Sequence, residues 1–172
     1  MKIFLLGLPG CGKTTLGKEL ASGLKIPFVD LDAEIEKREE MPVREIFRKR
    51  KEEYFRKSES KELERWCQSN RDFVMATGGG APVFFANIEK INAAGKSIFL
   101  DVSAREIANR ILLTPLEERP LFANANKESL KEQIEFMRSQ RLQFYNKAHL
   151  IITGDSISVA QMIEKIRTEI LP

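Results

Sequence analysis

Short apolar runs alternate along this chain with segments whose apolar residues recur every three or four positions. Five runs have strand character and lie at 2–6, 26–32, 73–76, 97–102 and 149–152. After the first of them, Leu16, Leu20 and Leu24 share one face of an amphipathic helix. Strands that alternate with helices favour parallel pairing, and parallel sheets are covered by helices on both faces. The pattern therefore predicts an α/β fold, a three-layer sandwich around a five-stranded parallel sheet.

The first apolar run leads into a glycine-rich loop. Residues 7–14 read Gly-Leu-Pro-Gly-Cys-Gly-Lys-Thr, a full match to the phosphate-binding pattern G-x-x-x-x-G-K-[ST] between a strand and a helix. In this P-loop pattern, backbone N–H groups and the helix N-terminus surround the phosphates. Lys13 is expected to neutralise phosphate charge, and Thr14 to bind a Mg²⁺ ion that bridges the phosphates. A glycine-rich turn without a ligand is the alternative, but the flanking strand and helix favour a nucleoside triphosphate site.

Two aspartates close the second apolar run. Because side chains alternate along a strand, Asp30 and Asp32 are predicted to lie on one face, at the carboxyl end where open α/β sheets bind ligands. Either residue is also suited to cap the following helix. Capping and ligand binding are compatible, so both carboxylates are candidates for the site.

A long, charged segment from Pro42 to about Ser69 is predicted to be helical. Its Lys, Arg and Glu content indicates mainly a solvated face with i, i+4 ion pairs, and a nucleic-acid contact is the weaker alternative. Within it, Phe55-Arg56 followed by Glu59 is the candidate functional group of residues.

Three consecutive glycines, Gly78 to Gly80, follow the third apolar run. Glycine loses more conformational entropy on folding than other residues, so the triplet indicates that another group approaches this backbone closely. A flexible turn is the alternative.

Two later features are also candidates for ligand contact. Residues 114–126 contain Arg119-Pro120-Leu121, show no periodicity and interrupt two helices, which is typical of a lid; a plain surface loop is the alternative. On the next helix, Arg141 takes a place where the spacing from Leu130 predicts an apolar residue. A buried arginine requires an anionic partner, either in a structural ion pair or in a ligand.

Composition narrows the classes of partner. The 172 residues suit one domain, and 28 basic against 25 acidic residues give a charge of +3, which argues weakly for small anionic ligands and little for nucleic acid. No apolar run is long enough for a signal segment or a membrane span. Two cysteines suffice for neither a disulfide framework nor a four-ligand zinc site. A cytoplasmic protein without membrane or nucleic-acid partners is expected.

A phosphate loop is compatible with a small-molecule kinase, a switch GTPase or a motor ATPase. The chain has neither the D-x-x-G switch nor the N-K-x-D guanine motif of GTPases. It also lacks the apolar strand ending in Asp-Glu that motor ATPases carry. The remaining class is a small-molecule kinase with a basic lid.

Several motifs occur together and in order: the phosphate loop, Phe28-x-Asp30-x-Asp32, Phe55-Arg56 with Glu59, Thr77 to Gly80, Arg119-Pro120-Leu121 and Arg141. Over nearly the full length this set resembles shikimate kinase. The resemblance implies a nucleoside-monophosphate-kinase-like fold with strand order 2-3-1-4-5 and transfer of the γ-phosphate of ATP to the 3-hydroxyl of shikimate. It implies a single kinase domain over 1–172, with a substrate-binding helical region at about 33–62 and a lid at about 114–126.

The resemblance also implies a role for each matching residue. The expected catalytic residues are Lys13, Asp32 and Arg119, and the expected Mg²⁺ ligands are Thr14 and Asp30. ATP is expected to contact Gly10, Cys11, Gly12, Lys13, Thr14, Thr15, Arg110 and Arg119. Shikimate is expected to contact Asp32, Phe47, Phe55, Arg56, Gly78, Gly79, Gly80 and Arg141, with Glu59 holding Arg56 in place.

Some alternatives stay open at the level of sequence. Arg110 matches a family arginine near the adenine, whereas residues 153–156 lack the basic residue that some members place there. Asp32 either accepts the proton of the reacting hydroxyl or only orients that hydroxyl. The alternatives to shikimate kinase are a gluconate or nucleotide kinase and an inactive relative that acts as a binding module. A monomer is expected.

Overall fold

Five parallel strands form the centre of the computed structural model, which describes residues 1–113 and 127–170. The strands are β1 (Lys2–Leu6), β2 (Phe28–Asp30), β3 (Phe73–Ala76), β4 (Lys96–Asp101) and β5 (Leu150–Thr153). Their order in the sheet is β2-β3-β1-β4-β5, with every neighbouring pair parallel. The α/β fold class and the strand order are confirmed.

Helices connect the strands. They are α1 (Lys13–Leu24), α2 (Leu31–Glu39), α3 (Val43–Gln68), α4 (Asn87–Ala94), α5 (Ala104–Leu112), α6 (Lys127–Tyr145) and α7 (Val159–Lys165). A 3₁₀ turn, Ala81–Val83, precedes α4, and a π-helical turn, Ile166–Ile170, continues α7. Among the described helices, none is both long and apolar enough to span a membrane.

The central strand β1 sends successive side chains to opposite faces of the sheet. The Phe4 ring lies edge-on to Phe73 with centroids 5.4 Å apart, and Phe73 contacts Trp66 of α3 at 5.3 Å. Leu5 points the other way, since a Cβ at Gly17 of α1 would lie 3.1 Å from the Leu5 side chain. Helices α1 and α3 therefore cover opposite faces, which gives the predicted three layers.

Side-chain caps determine where several helices begin. The Ser103 hydroxyl accepts from the backbone N–H of Glu106 at the start of α5, and Ser158 accepts from that of Gln161 at the start of α7, both at 3.2 Å. A short polar side chain at this position satisfies a backbone donor that the helix itself leaves free. Asp30 plays the same part for α2, with consequences for the site.

The predicted elements differ from the structure in detail. The predicted helix from Pro42 to about Ser69 is present as α3, but it is interrupted at Lys51, where φ is 66° and ψ is 170°. No glycine or proline marks that position, so the residue pattern does not predict the kink. Strands β4 and β5 are displaced by one residue from the predicted runs. Residues 114–126, with Arg119 and the predicted lid, lie outside the described residues.

Candidate active site

The phosphate loop turns sharply between β1 and α1. Gly7, Gly10 and Gly12 have φ of 142°, 85° and 104°, a region that side chains other than glycine rarely adopt. The Lys13 ammonium is folded into this loop and donates to the carbonyls of Gly7 (2.8 Å) and Leu8 (2.9 Å). Its charge is therefore held beside the glycines and away from bulk solvent.

A cleft of about 500 Å³ opens along this loop. It is lined by Gly10, Gly12, Lys13, Thr14, Thr15, Leu16, Arg110 and Ile157. Cys11 is fully buried beneath the loop, and its side chain does not line the cleft. Six of the seven described residues predicted to contact ATP thus face one cavity.

The first turn of α1 meets the end of β2 at Thr14 and Asp30. The Thr14 hydroxyl donates to Oδ2 of Asp30 at 3.1 Å, while Oδ1 of Asp30 accepts from the backbone N–H groups of Asp32 (3.1 Å) and Ala33 (3.4 Å). This cap starts α2 at Leu31, so Asp32 is helical. The prediction that Asp30 and Asp32 share a strand face is wrong, because it extended the strand past the residue that caps the helix.

Asp32 nevertheless points into the site. Its Oδ1 is buried and has no hydrogen-bond partner among the described residues. Burial raises the pKa of Asp32 from 3.8 to about 6, and the Asp30 charge adds to the rise, whereas Lys13 and Arg56 oppose it. A carboxylate with an unused oxygen and a pKa close to neutrality is suited to accept a proton or a hydroxyl hydrogen bond.

Each glycine of the triplet lies against a charged side chain. A Cβ would lie 2.6 Å from Glu59 Oε1 at Gly78, 3.2 Å from Arg141 Nη1 at Gly79, and 2.5 Å from Arg56 Nη1 at Gly80. None of the three has a positive φ. Close approach, as predicted, is therefore the reason that these positions require glycine.

Two carboxylates of its own helix hold Arg56. Its Nη1 donates to Oε2 of Glu59 at 2.9 Å, and its Nε and Nη2 donate to Oε1 of Glu52 at 3.2 and 3.0 Å. The Glu59 side chain is fully buried, whereas that of Glu52 is 58% exposed. The predicted contact between Glu59 and Arg56 is present, and Glu52 adds a second partner at the solvent side.

Glu59 has one oxygen left over. Its Oε1 is buried beside Gly78 and has no partner among the described residues. Burial raises the pKa of Glu59 from 4.5 to about 7, and the Asp32 charge also raises it, although Arg56 and Arg141 act in the opposite direction. The oxygen that faces the triplet is therefore available to a ligand.

Arg141 reaches the same triplet from α6. Its Nη1 is buried without a hydrogen-bond partner among the described residues. One turn later, the buried Tyr145 donates its hydroxyl to the carbonyl of Gly79 at 2.6 Å. Burial raises the pKa of Tyr145, although Arg141 opposes the rise, so the hydroxyl keeps its proton for this bond. Tyr145 thus anchors the glycine backbone beside Arg141.

Phe47 and Phe55 form an aromatic wall next to Arg56. Their ring centroids are 4.6 Å apart with the planes tilted by 37°. The Arg56 guanidinium carbon lies 5.9 Å from the first centroid and 5.2 Å from the second. The two rings predicted to contact the substrate therefore flank Arg56, which is also predicted to contact it.

Arg110 joins three parts of the chain at the edge of the cleft. It donates to the Cys11 carbonyl at 3.0 Å, to the Asp155 carbonyl at 2.5 Å and to Oε1 of Glu106 at 2.8 Å. It therefore ties the phosphate loop to the segment after β5, beside the space predicted for adenine.

Three residues near the site escaped the sequence analysis. Glu52 precedes Arg56 by four residues and Tyr145 follows Arg141 by four, a spacing that places side chains together on a helix and could have identified both. Phe84, whose ring centroid lies 4.7 Å from Cζ of Arg56, sits in an irregular segment after the triplet, where periodicity carries no information.

Comparisons with known proteins match this chain to one family and one fold. The family model described as shikimate kinase matches residues 9–171. A shikimate kinase from Bacteroides fragilis is 39% identical over 164 residues, which cover 95% of this chain and 90% of that protein. The crystal structure of shikimate kinase from Bacteroides thetaiotaomicron has a TM-score of 0.89 at 34% identity, covering 97% of this chain and 96% of the other. Shikimate kinase from Acinetobacter baumannii in complex with shikimate has a TM-score of 0.85 at 30% identity, covering 99% and 92%.

Proposed function

The chain belongs to the shikimate kinase family, and we propose that its residues carry out ATP-dependent phosphorylation of shikimate in the roles derived below. The reaction transfers the γ-phosphoryl group of ATP to the 3-hydroxyl of shikimate and gives shikimate 3-phosphate and ADP. The observation that carries the assignment of roles is the set of unpartnered polar atoms around the glycine triplet.

These atoms are Oδ1 of Asp32, Oε1 of Glu59 and Nη1 of Arg141. An unpaired buried polar group costs about 1–3 kcal/mol, so three of them in one place indicate that a polar ligand completes the site. Two of the atoms accept hydrogen bonds when ionised, and one donates. Shikimate has both kinds of partner, since its hydroxyls donate and its carboxylate accepts.

The carboxylate of the substrate is proposed to bind Arg56 and Arg141. A guanidinium group presents a planar fork that matches a carboxylate with two parallel hydrogen bonds. Glu59 holds Arg56 from its own helix, and Tyr145 holds the backbone beside Arg141. Arg56 is therefore partly held before the substrate arrives, and the backbone against which Arg141 lies is anchored, which lowers the entropic cost of binding.

Asp32 is proposed to receive the proton of the reacting hydroxyl at Oδ1. A pKa of about 6 keeps Asp32 mostly ionised at neutral pH, yet leaves it basic enough to share the proton in the transition state. If it only orients the hydroxyl, the same hydrogen bond forms without transfer. Lys13, placed at the glycine loop, neutralises charge on the phosphoryl oxygens as the transfer proceeds.

Thr14 and Asp30 are proposed to hold Mg²⁺. The Thr14 hydroxyl and Oδ2 of Asp30 lie 3.1 Å apart beside the cleft. Both are hard oxygen atoms of the kind that Mg²⁺ binds, and Mg²⁺ usually takes one or two carboxylates together with several waters. The described residues contain no cluster of three or more His, Cys, Asp or Glu side chains suited to a metal, as expected where phosphates and water complete the shell. Bound there, Mg²⁺ would neutralise charge on the phosphates.

The remaining assignments extend the same proposal. Arg119 is proposed to contact the transferred phosphoryl group, and Arg110 to lie beside the adenine. Residues 1–172 are proposed to act as one kinase domain, with 33–62 serving the substrate and 114–126 closing as a lid. We propose a monomeric protein of the cytoplasm that requires neither nucleic acid nor a membrane.

A coupled assay tests the proposal directly. ADP release is followed with ATP, Mg²⁺ and, in turn, shikimate, gluconate, AMP and CMP. Shikimate is expected to give the highest kcat/KM by a wide margin, because it holds a carboxylate and three hydroxyls in fixed positions on a ring. Gluconate carries the same kinds of group on a flexible chain that costs more entropy to order, and AMP and CMP have a phosphate in place of the carboxylate. Faster turnover of gluconate or of a nucleotide, or no turnover of shikimate by folded protein, would contradict the assignment.

A further inference from the structure

Arg56 has an aromatic neighbour beyond the two predicted from sequence. Its guanidinium carbon lies 4.7 Å from the ring centroid of Phe84, nearer than to Phe55 (5.2 Å) or Phe47 (5.9 Å). A cation within about 6 Å of an aromatic face is attracted by the ring quadrupole. Phe84 therefore makes the shortest cation–π contact of this arginine.

The segment that carries Phe84 begins at the glycine triplet and also contacts Arg56. Gly80 lies so close that a Cβ there would be 2.5 Å from Nη1 of Arg56. The 3₁₀ turn Ala81–Val83 follows, with the Val83 N–H donating to the Gly80 carbonyl at 2.9 Å. Gly80 and Phe84 are thus the two ends of one short turn that closes over the guanidinium.

A buried asparagine fixes this turn to the helix that carries Arg56. The backbone N–H of Asn87 donates to the Phe84 carbonyl at 3.0 Å, and its side-chain amide donates to the Ala81 carbonyl at 2.9 Å. Its Oδ1 accepts from the hydroxyl of Ser60 in α3 at 2.7 Å. Ser60 adjoins Glu59, so the turn and the arginine are held to the same stretch of α3.

The backbone beside Phe84 is strained. Phe85 and Ala86 have φ of 53° and 55°, left-handed conformations that residues with a Cβ rarely adopt. Such conformations persist where surrounding contacts impose them, and they concentrate at functional sites. The reversal leaves the Phe85 side chain 49% exposed, while Phe84 faces Arg56.

The other contacts of Arg56 leave its plane incompletely fixed. Glu59 holds one edge from a buried position, but Glu52 holds the other from solvent. A negatively charged substrate competes with Glu52 for the same N–H groups. The rigid ring of Phe84 against the face of the Arg56 guanidinium keeps that group in its plane while the substrate replaces Glu52.

We propose that Phe84 is a positioning residue for substrate recognition: its ring holds the Arg56 guanidinium in the orientation that the substrate carboxylate requires. Phe84 thereby sets the KM for shikimate and leaves phosphoryl transfer itself unaffected. The proposal rests on the role of Arg56 in the proposed function.

The test compares Phe84→Leu with Phe84→Tyr and with Phe85→Leu as the matched control on the exposed neighbour. Phe84→Leu removes the ring but keeps an apolar side chain, and it is expected to raise the KM for shikimate about 2- to 30-fold, the range of a cation–π contact. The KM for ATP and kcat should change less than about 2-fold, the low end of that range. Phe84→Tyr, which keeps the ring, and Phe85→Leu should both resemble the parent.

Thermal unfolding of each variant shows whether it is folded. Arg56→Lys, assayed in parallel, distinguishes a failure of the proposal for Phe84 from a failure of the role of Arg56. If Phe84→Leu leaves the KM for shikimate unchanged while Arg56→Lys raises it, the positioning role of Phe84 is refuted and the role of Arg56 stands. If Arg56→Lys is also silent, the assignment of Arg56 fails and the proposal fails with it. Should Phe84→Leu not fold, Phe84→Met, whose flexible side chain fills irregular gaps without a ring, replaces it under the same criteria. A fall in kcat and a rise in the KM for ATP as large as the rise in the KM for shikimate would also refute the proposal, since they indicate general damage to the site.

Discussion

Replacing Asp32 by asparagine should stabilise the protein in the absence of ligands while it slows catalysis. The substitution keeps the shape of the side chain and removes a charge that burial disfavours, since the pKa of Asp32 is raised from 3.8 to about 6. Between those two pH values the folded protein binds a proton at Asp32 that the unfolded chain does not. Protonation of Asp32 in the folded parent therefore stabilises it relative to a folded protein with the ionised carboxylate. This stabilisation is fully present below about pH 4 and is lost as the pH rises through about 6.

The size of the effect follows from the same two values. The difference between 3.8 and about 6, at about 1.4 kcal/mol per pH unit, corresponds to about 3 kcal/mol of unfolding free energy as an upper figure. For a chain of this length, that is a rise in Tm of about 6–12 °C at neutral pH. Below pH 4 the parent is protonated at this position, so the two proteins should become equally stable.

Urea unfolding of the parent and of Asp32→Asn at a series of pH values from 4 to 8, followed by circular dichroism, measures the difference. Taking the difference between proteins cancels the other titrating groups. Glu135→Gln is the matched control, because Glu135 is 55% exposed on α6 and is not among the charges that shift the pKa of Asp32. Its stability should stay within about 0.5 kcal/mol of the parent at every pH. A variant no more stable than the parent at pH 8, or a difference that does not change with pH, would refute the reasoning from burial. Turnover of Asp32→Asn should fall by about 10²-fold or more if the residue acts as the base.

Four further substitutions test the site from other sides. Arg56→Lys and Arg141→Lys should each raise the KM for shikimate by about 10- to 150-fold through loss of the bidentate fork, at about 1.5–3 kcal/mol, with the KM for ATP unchanged in steady-state assays. Gly80→Ala places a Cβ 2.5 Å from Arg56 Nη1 and should raise the KM for shikimate. Gly23→Ala is its control and should raise the KM less, since Gly23 lies at the opposite end of α1 from Lys13. Equal effects of the two substitutions would show that the close approach is unimportant. Lys13→Ala should abolish phosphoryl transfer in a protein that circular dichroism shows to be folded, and turnover at the parental rate would exclude the loop from the mechanism.

Sequence predicts the parts of this protein that depend on local pattern. The strand order came from a family resemblance carried by motifs, and β1 and β3 were located to the residue because their apolar runs are clearly bounded. Arg56, Glu59 and Arg141 of the candidate site were also singled out from the sequence, whereas Glu52 and Tyr145 on the same two helices were missed. Asp32 was placed on the wrong element, because the capping bond of Asp30 decides the boundary and pattern alone does not show it. The turn at Phe84 depends on tertiary contacts between α3 and the segment after the triplet, for which no short-range signal exists. The kink at Lys51 is marked by neither glycine nor proline.

The features that sequence could not predict are also those that make the ligand-free protein less stable. Lys51 and Phe85 hold left-handed backbone conformations, and Asp32 is buried with an oxygen unpaired. Each disfavours the empty fold by about 1–3 kcal/mol. Lys51 precedes Glu52 and Phe85 follows Phe84, so these two positions adjoin contacts of Arg56, and Asp32 is close enough for the Arg56 charge to oppose the rise in its pKa. Substitutions that remove the strain or the buried charge should stabilise the protein. They also remove the charge or the backbone geometry that binds the hydroxyls and the carboxylate of the substrate. Stability and activity should therefore change in opposite directions at these positions. Bound shikimate should stabilise the parent more than it stabilises Asp32→Asn, so that the difference in stability between the two proteins becomes smaller when shikimate is present.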